Sequence, residues 1–258
     1  MEPIRGSRCW VTTSADGAFV EKRFDSLRNG FGGHRYPYER RVGELLRRHP
    51  PPVPTPRLVR ADRRRRVLVY EAVQGETVGP KFPLELDDAS IDALVDLAVR
   101  MPTYRPARSR FVRRFDLRRR IRRAVELGAL LPDDAAAVRA VCEGDPPALV
   151  LGHGDITARN VMRRHDDGVH VLIDWEWFAI YPRPWDLAFL WLTLVDVAGA
   201  RQRVELAVEP RDEAWFWRSA LLVQVLHLGL AGLQADSPFR ARHIQTRDEL
   251  LERVLGEQ

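Results

Sequence analysis

The sequence predicts an α+β fold: a small β-rich amino-terminal part followed by a larger, mainly helical carboxy-terminal part. Three observations carry this expectation. Short runs of β-forming residues, bounded by Gly, Pro, Asp and Ser, occupy much of the first 75 residues. From residue 87 onward, apolar residues recur at helical spacing. Among the helices, residues 148–177 hold two more short apolar runs that read as buried strands.

The 258 residues suit one large domain or two small lobes. A hydrophobic fraction of 45% is enough for a sizeable core, and no low-complexity tract signals wholesale disorder. The first ten residues, MEPIRGSRCW, lack the apolar core of a signal peptide. The most apolar stretches, 187–195 and 221–233, are too short to cross a bilayer. Cys9 and Cys142 show no metal-ligand spacing and read as reduced thiols in a cytoplasmic protein. The net charge is +5, and almost all the basic residues are Arg; Lys22 and Lys81 are the two lysines. This balance favours anionic ligands such as nucleotides and gives no help in recruiting a polycation.

Residues 8–13 and 18–24 read as a hairpin turned at Ser14-Ala15-Asp16-Gly17. Lys22 lies in its second strand. There it either reaches nucleotide phosphates as a compact point charge or is simply solvated. Residues 31–38, rich in Gly and aromatics, read as a loop. A helix is expected over 38–49, with Val42, Leu45 and Leu46 on its apolar face. Its acidic residues, Glu39 and Glu44, can each pair with a neighbouring Arg. Residues 50–56 form a proline-rich connector that cannot be helical. Residues 57–60 and 67–72 read as strands around a basic turn at 62–66.

A helix follows from the acidic start Asp87-Asp88, with Ile91, Leu94, Val95, Leu97 and Ala98 as its stripe, and Pro102 and Pro106 end it. Residues 111–131 are dense in Arg. A solvated helix face fits better than a nucleic-acid patch, because neither aromatic interleaving nor a known binding motif accompanies the run. Pro132-Asp133-Asp134 starts a further helix into 135–142.

The runs at 149–151 and 170–173 are followed by Asp155 and Asp174, with Asn160 five residues beyond Asp155. A strand leaves little slack at its end, so these three side chains can converge on one point. One carboxylate could then accept a proton while the amide oxygen and the other carboxylate hold Mg²⁺. Phosphoryl transfer needs that set of parts. The plain alternative is two ordinary strands with acidic turn residues. Residues 181–185 read as a proline-punctuated loop. Asp186 then opens a helix over 187–197, where the dipole favours a carboxylate. Long helices over 212–234 and 239–255 close the chain, their aromatics, such as Trp215 and Phe216, reading as core.

His153-Gly154-Asp155 with Asn160, followed by Ile173-Asp174-Trp175-Glu176, resembles the catalytic and metal-binding motifs of the aminoglycoside phosphotransferase family. A lone His-Gly-Asp would be weak evidence; the full order and spacing is specific. The resemblance implies a two-lobed protein-kinase-like fold, with a nucleotide-binding lobe over 1–75 and a catalytic and substrate-binding lobe over 76–258. It implies ATP or another NTP and Mg²⁺ as cofactors, Asp155 as catalytic base, Asn160 and Asp174 as metal ligands, and Lys22 as phosphate anchor. A helix glutamate would fix that lysine, Glu39 first and Glu44 in reserve. The backbone of Glu71, Ala72 and Val73 would meet the adenine at the hinge. Asp186 would brace the catalytic loop. His153 would hold the loop by hydrogen bonds, general base being its rival role, and Glu176 would contact metal or substrate.

The implied activity is transfer of the γ-phosphoryl group to a hydroxyl of a small molecule. The acceptor would be an aminoglycoside, macrolide or nucleoside antibiotic, or a related metabolite. A polycationic acceptor would draw on Glu205, Glu209, Asp212, Glu213 and Asp236, although Arg201, Arg203, Arg211 and Arg218 lie among them. Neither a membrane nor a nucleic acid is an expected partner. Two other classes stay open. A nucleotide-binding pseudokinase or regulatory module is prompted by the 21 residues before Lys22, which leave only 1–7 for the family's additional strand and phosphate-covering loop. An RNA-associated kinase is prompted by the Arg runs.

Overall fold

Lys22 stands in the middle strand of a five-stranded antiparallel sheet. A computed structural model describes residues 4–5, 9–24, 32–107, 109–126, 128, 130, 132–142, 148–231 and 239–256. The sheet is built from β1 (Ile4–Arg5), β2 (Trp10–Thr13), β3 (Phe19–Arg23), β4 (Leu58–Asp62) and β5 (Val67–Glu71), with α1 (Gly32–Arg48) between β3 and β4. Register places Val11 and Leu68 on either side of Lys22, so these three share one face. Trp10 and Arg23 pair on the other. Strand β1 precedes the hairpin and pairs with β2 through Ile4↔Val11 and Arg5↔Trp10.

The rest of the chain runs β6 (Gly75–Thr77), α2 (Asp88–Arg100), α3 (Leu117–Glu126), α4 (Pro132–Cys142), β7 (Leu149–Gly152), β8 (Val161–Arg164), β9 (His170–Leu172) and β10 (Ala179–Pro182). It ends with α5 (Trp185–Thr193), α6 (Ala200–Leu206), α7 (Glu213–Ala231) and α8 (Phe239–Gly256). Two small sheets, β6-β8-β9 and β10-β7, sit among these helices. Helix α2 starts as its sequence signals: the Asp87 carboxylate accepts the Ser90 N–H at 2.6 Å. On α3, Ile121 and Ala124 are buried while Arg118, Arg119 and Arg122 are exposed, the pattern of a solvated face. Among the described residues, no helix is long and apolar enough to cross a membrane.

Three elements differ from expectation. Helix α1 takes in most of the segment read as a loop over 31–38, with Pro37 inside it; residue 31 lies outside the described residues. The reason is tertiary. Tyr36 packs with Phe24, Leu58 and Leu68, whereas Tyr38 joins the large core with Val42, Leu45 and Leu46. Burying two aromatic rings in two cores outweighs the backbone hydrogen bond that a proline forfeits. The loop read at 181–185 begins instead as β10, which pairs with β7 through Ile180↔Leu151 and Tyr181↔Val150. Pro182 is tolerated because it is the last residue of that strand. Helix α5 starts at Trp185 and stops at Thr193, short of 197, where β-branched residues weaken it. Strands β6 and β8 and helix α6 are too short or too polar to stand out in sequence.

Gly75 lies where β6 meets β8. A Cβ there would fall 2.3 Å from the Arg163 carbonyl oxygen, a backbone atom with no room to yield. Gly75→Ala should therefore destabilise the protein by about 1–3 kcal/mol, read as a lower urea midpoint at unchanged slope.

Candidate active site

The loop after β7 is held from behind. Asp186, buried at the start of α5, accepts the His153 N–H through Oδ2 at 2.9 Å and the Gly154 N–H through Oδ1 at 2.7 Å. Burial still pushes this carboxyl up to about 6, against the pull of the two N–H groups. Gly154 adopts φ 83°, and a Cβ there would lie 2.3 Å from the Tyr181 hydroxyl and 2.7 Å from the Trp177 carbonyl. Only glycine fits. His153 is fully buried, and burial lowers it to about 4, so it is neutral. Its Nε2 bonds the Ile173 carbonyl at 3.0 Å, and its Nδ1 accepts the Asp155 N–H at 3.3 Å. Both ring nitrogens are engaged by the backbone, which leaves none to take a substrate proton.

Asp155 emerges from that loop largely buried. The Asn160 Nδ2 donates to its Oδ2 at 2.8 Å and to its backbone carbonyl at 2.9 Å. Its Oδ1 faces Lys81 Nζ at 3.5 Å. Burial raises the carboxyl to about 6, with Lys81 and Asn160 opposing. Asn160 closes a single 3-10 turn, Ala158–Asn160, and its carbonyl accepts the Ile173 N–H at 2.9 Å. That bond brings the end of β9, and hence Asp174, alongside Asn160. With its amide nitrogen committed to Asp155, Asn160 keeps its amide oxygen for another ligand.

Asp174 has φ 60°, the left-handed region, which is uncommon for any residue but glycine. In that conformation its Oδ1 meets Lys22 Nζ at 2.8 Å. Lys22 Nζ also meets Glu39 Oε2 at 2.8 Å. Burial alone would lower the ammonium, but Glu39 and Asp174 together hold it well above its ordinary value. Burial pushes Glu39 up to about 7 in spite of Lys22. Asp174 is also penalised by burial, yet Lys22 holds it below its usual range. Glu44, the reserve candidate, pairs with Arg40 on α1. The Glu71 and Ala72 N–H groups donate to the Arg57 and Ala18 carbonyls, at 3.0 and 2.9 Å, and Val73 follows directly.

Two features at the site were not visible as such in sequence. Lys81, between β6 and α2, reaches Asp155 across 74 positions of chain, a pairing that no local motif signals. Glu176 is held by Arg35 at 2.6 Å, with the guanidinium 5.8 Å from the centre of the Trp177 ring. Among the acidic residues weighed for a cationic acceptor, Glu205 accepts the Trp191 indole N–H at 2.7 Å. Glu209 meets Arg211 at 2.5 Å, and Asp212 meets Arg183 at 3.5 Å. Glu213 is exposed at the start of α7, and Asp236 lies outside the described residues.

The model of the phosphotransferase enzyme family matches residues 5–221, a span that holds every residue named in this site. The chain belongs to that family. Solved structures sharing its protein-kinase-like fold include choline kinase LicA from Streptococcus pneumoniae, 15% identical with a TM-score of 0.67 over 98% of this chain and 93% of that one. Another is the GDP complex of wild-type aminoglycoside 2′-phosphotransferase-IIIa, 17% identical with a TM-score of 0.67 over 97% and 91%. A third is macrolide 2′-phosphotransferase MphH from Brachybacterium faecium, 15% identical with a TM-score of 0.60 over 96% and 89%. No curated protein sequence gives a significant match.

The position of Asp155 has a thermodynamic consequence. A carboxyl raised from 3.8 to about 6 destabilises the fold while it is ionised, by roughly 1.4 kcal/mol per pKa unit. Asp155→Asn should therefore stabilise the metal-free protein at pH 7.5 by about 1–3 kcal/mol. The gain is complete above the folded-state value and fades as the pH falls toward 4, where wild-type Asp155 itself takes up a proton. Urea titrations of both proteins at several pH values measure it.

Proposed function

We propose that the protein transfers the γ-phosphoryl group of ATP, or of another nucleoside triphosphate, to a hydroxyl of a small molecule. The observation that carries this reading is the pairing of two half-sites. Lys22 is clamped between Glu39 and Asp174, and Asp155 is held by Asn160 directly beside them. Relatives of the same fold are described in complex with GDP and AMP, which supports the nucleotide assignment.

In this reading Lys22 meets the α- and β-phosphates, its position set by Glu39. A backbone contact to the base at the end of β5 falls to the Val73 N–H, because those of Glu71 and Ala72 are already bonded within the structure. The donor set fits Mg²⁺: Asn160 has an amide oxygen to offer and Asp174 a second carboxylate oxygen. Among the described residues, no group of three His, Cys, Asp or Glu side chains forms a metal site of its own. Such a sparse, all-oxygen set suits an ion that shares its coordination with phosphates and water. Bound there, Mg²⁺ would neutralise charge on the phosphates.

Asp155 orients the acceptor hydroxyl and takes its proton as the bond to phosphorus forms. The transition state is loose, so positioning supplies much of the rate and proton abstraction comes late. His153 and Asp186 position this loop and touch no reactant. Turnover, as opposed to nucleotide binding alone, is favoured by Asp155 itself: a module that only bound nucleotide would gain nothing from a buried, destabilising carboxylate. The acceptor in this reading is an antibiotic or a metabolite.

The test is Mg-ATP consumption across a panel of hydroxyl-bearing antibiotics and metabolites, run with two variants. Asp155→Ala should lower kcat by about 10²–10⁴ while nucleotide affinity stays within about threefold. Lys22→Met should weaken nucleotide binding as well as turnover. Normal turnover by Asp155→Ala would remove the proposed base.

A further inference from the structure

We propose that Lys81 selects the acceptor, and that the acceptor carries a carboxylate or phosphate beside its reacting hydroxyl instead of an ammonium. This rests on the phosphotransferase reading and narrows it to a substrate class.

The argument begins with the two oxygens of Asp155. Oδ2 is tied to Asn160 at 2.8 Å, on the side of the metal-ligand candidates. A hydroxyl that gives up its proton must therefore meet Oδ1, and that is the oxygen facing Lys81 Nζ at 3.5 Å. The acceptor thus reacts within a few ångströms of a fixed ammonium. Lys81 is well placed to receive it. Its side chain is 32% exposed, so the head group is reachable from solvent. Its Nζ lies 5.2 Å from the centre of the Phe189 ring on α5 and 6.0 Å from that of Phe82, and these aromatic faces steady the cation. An ammonium has three N–H donors, more than the single contact with Asp155 Oδ1 uses.

The charges around it point the same way. Glu39 and Asp174 are held by Lys22, and Glu176 by Arg35. In the helices, Glu209 and Asp212 are held by Arg211 and Arg183, and Glu205 by the Trp191 indole. A cationic acceptor would meet Lys81 at the base, and to use any of these carboxylates it would have to displace the partner already there; exposed Glu213, at the start of α7, is the exception. An anionic acceptor meets Lys81 directly and displaces nothing. Like and unlike charge at that range, with partial solvent screening, separates the two classes by at least about tenfold.

The experiment measures Mg-ATP turnover by the full chain against matched acceptors. Glycerate and gluconate form the carboxylate arm, glycerol 3-phosphate and glucose 6-phosphate the phosphate arm. Glycerol and glucose are neutral; choline, glucosamine and kanamycin are cationic. The wild type should favour one anionic arm by at least about tenfold in kcat/KM over the neutral arm, with the cationic arm lowest. The arm that leads identifies carboxylate or phosphate. Lys81→Met should remove at least about tenfold from the anionic arm, chiefly through KM, and much less from the neutral one. Lys81→Glu should reverse the order of anionic and cationic arms. A wild type that prefers a cationic acceptor overturns the proposal and leaves the phosphotransferase reading intact. So does an equal fall in kcat for every arm in Lys81→Met, which would place Lys81 on the transferring group. Turnover in no arm overturns both.

Discussion

The bridge made by Lys22 between Glu39 and Asp174 joins three parts of the chain that are far apart in sequence. Strand β3 supplies the ammonium, α1 one carboxylate, and the turn after β9 the other. Burying the Lys22 or Glu39 charge without its partner would cost several kcal/mol, so these two must arrive together, with Asp174 closing the bridge at its more exposed end. The bridge is thus a statement about the whole fold. It requires α1 to be seated correctly, and α1 is anchored just ahead of Glu39 in two cores: Tyr36 enters the small one and Tyr38 the large one. The Tyr38 hydroxyl also donates to the Phe178 carbonyl, just beyond Asp174 and its neighbours. Arg35 on Glu176 adds a further tie between the same helix and the same turn.

Against this charged bridge, the loop carrying Asp155 is held mostly by backbone geometry. Gly154 leaves no space for a side chain, Asp186 accepts two consecutive N–H groups, and neutral His153 spans from the Asp155 amide to the Ile173 carbonyl. The loop therefore has little freedom to let Asp155 relax toward water. A carboxylate held in a low-dielectric position without full compensation is a local loss of stability, and the proposed role of Asp155 as base accounts for it.

What could be read from the sequence follows from how local each signal is. The β2–β3 hairpin, the Asp87 cap of α2, and the trio Asp155, Asn160 and Asp174 all sit within short windows. Turn chemistry and motif spacing suffice there. Glu39 could be ranked above Glu44 only through the family resemblance; that it reaches Lys22, while Glu44 takes Arg40, is decided by which face of α1 meets the sheet. The start of α1 is not legible locally, because the Gly and aromatic content of 31–38 reads as loop, whereas the burial of Tyr36 and Tyr38 favours helix only once the two cores exist. Strand β10 is hidden by Pro182 and the nearby Pro184, since pairing with β7 is a fact about residues some thirty positions away. Lys81 and Arg35 carry no motif at all. Their roles come from partners 74 and 141 residues distant, and nothing short of the folded chain brings them into view.

The scarcity of lysine has a use at the bench. Both side-chain amines of the chain, Lys22 and Lys81, lie against carboxylates of the candidate site, one on Asp174 and one on Asp155. Reagents that acylate primary amines ignore guanidinium groups. Apart from the amino terminus, mass-spectrometric footprinting would therefore report on two positions, one in each half of the site. Lys22, clamped as an ammonium between two carboxylates, is the slow position and the more exposed Lys81 the fast one, so a ligand that covers Lys81 could be detected without any turnover.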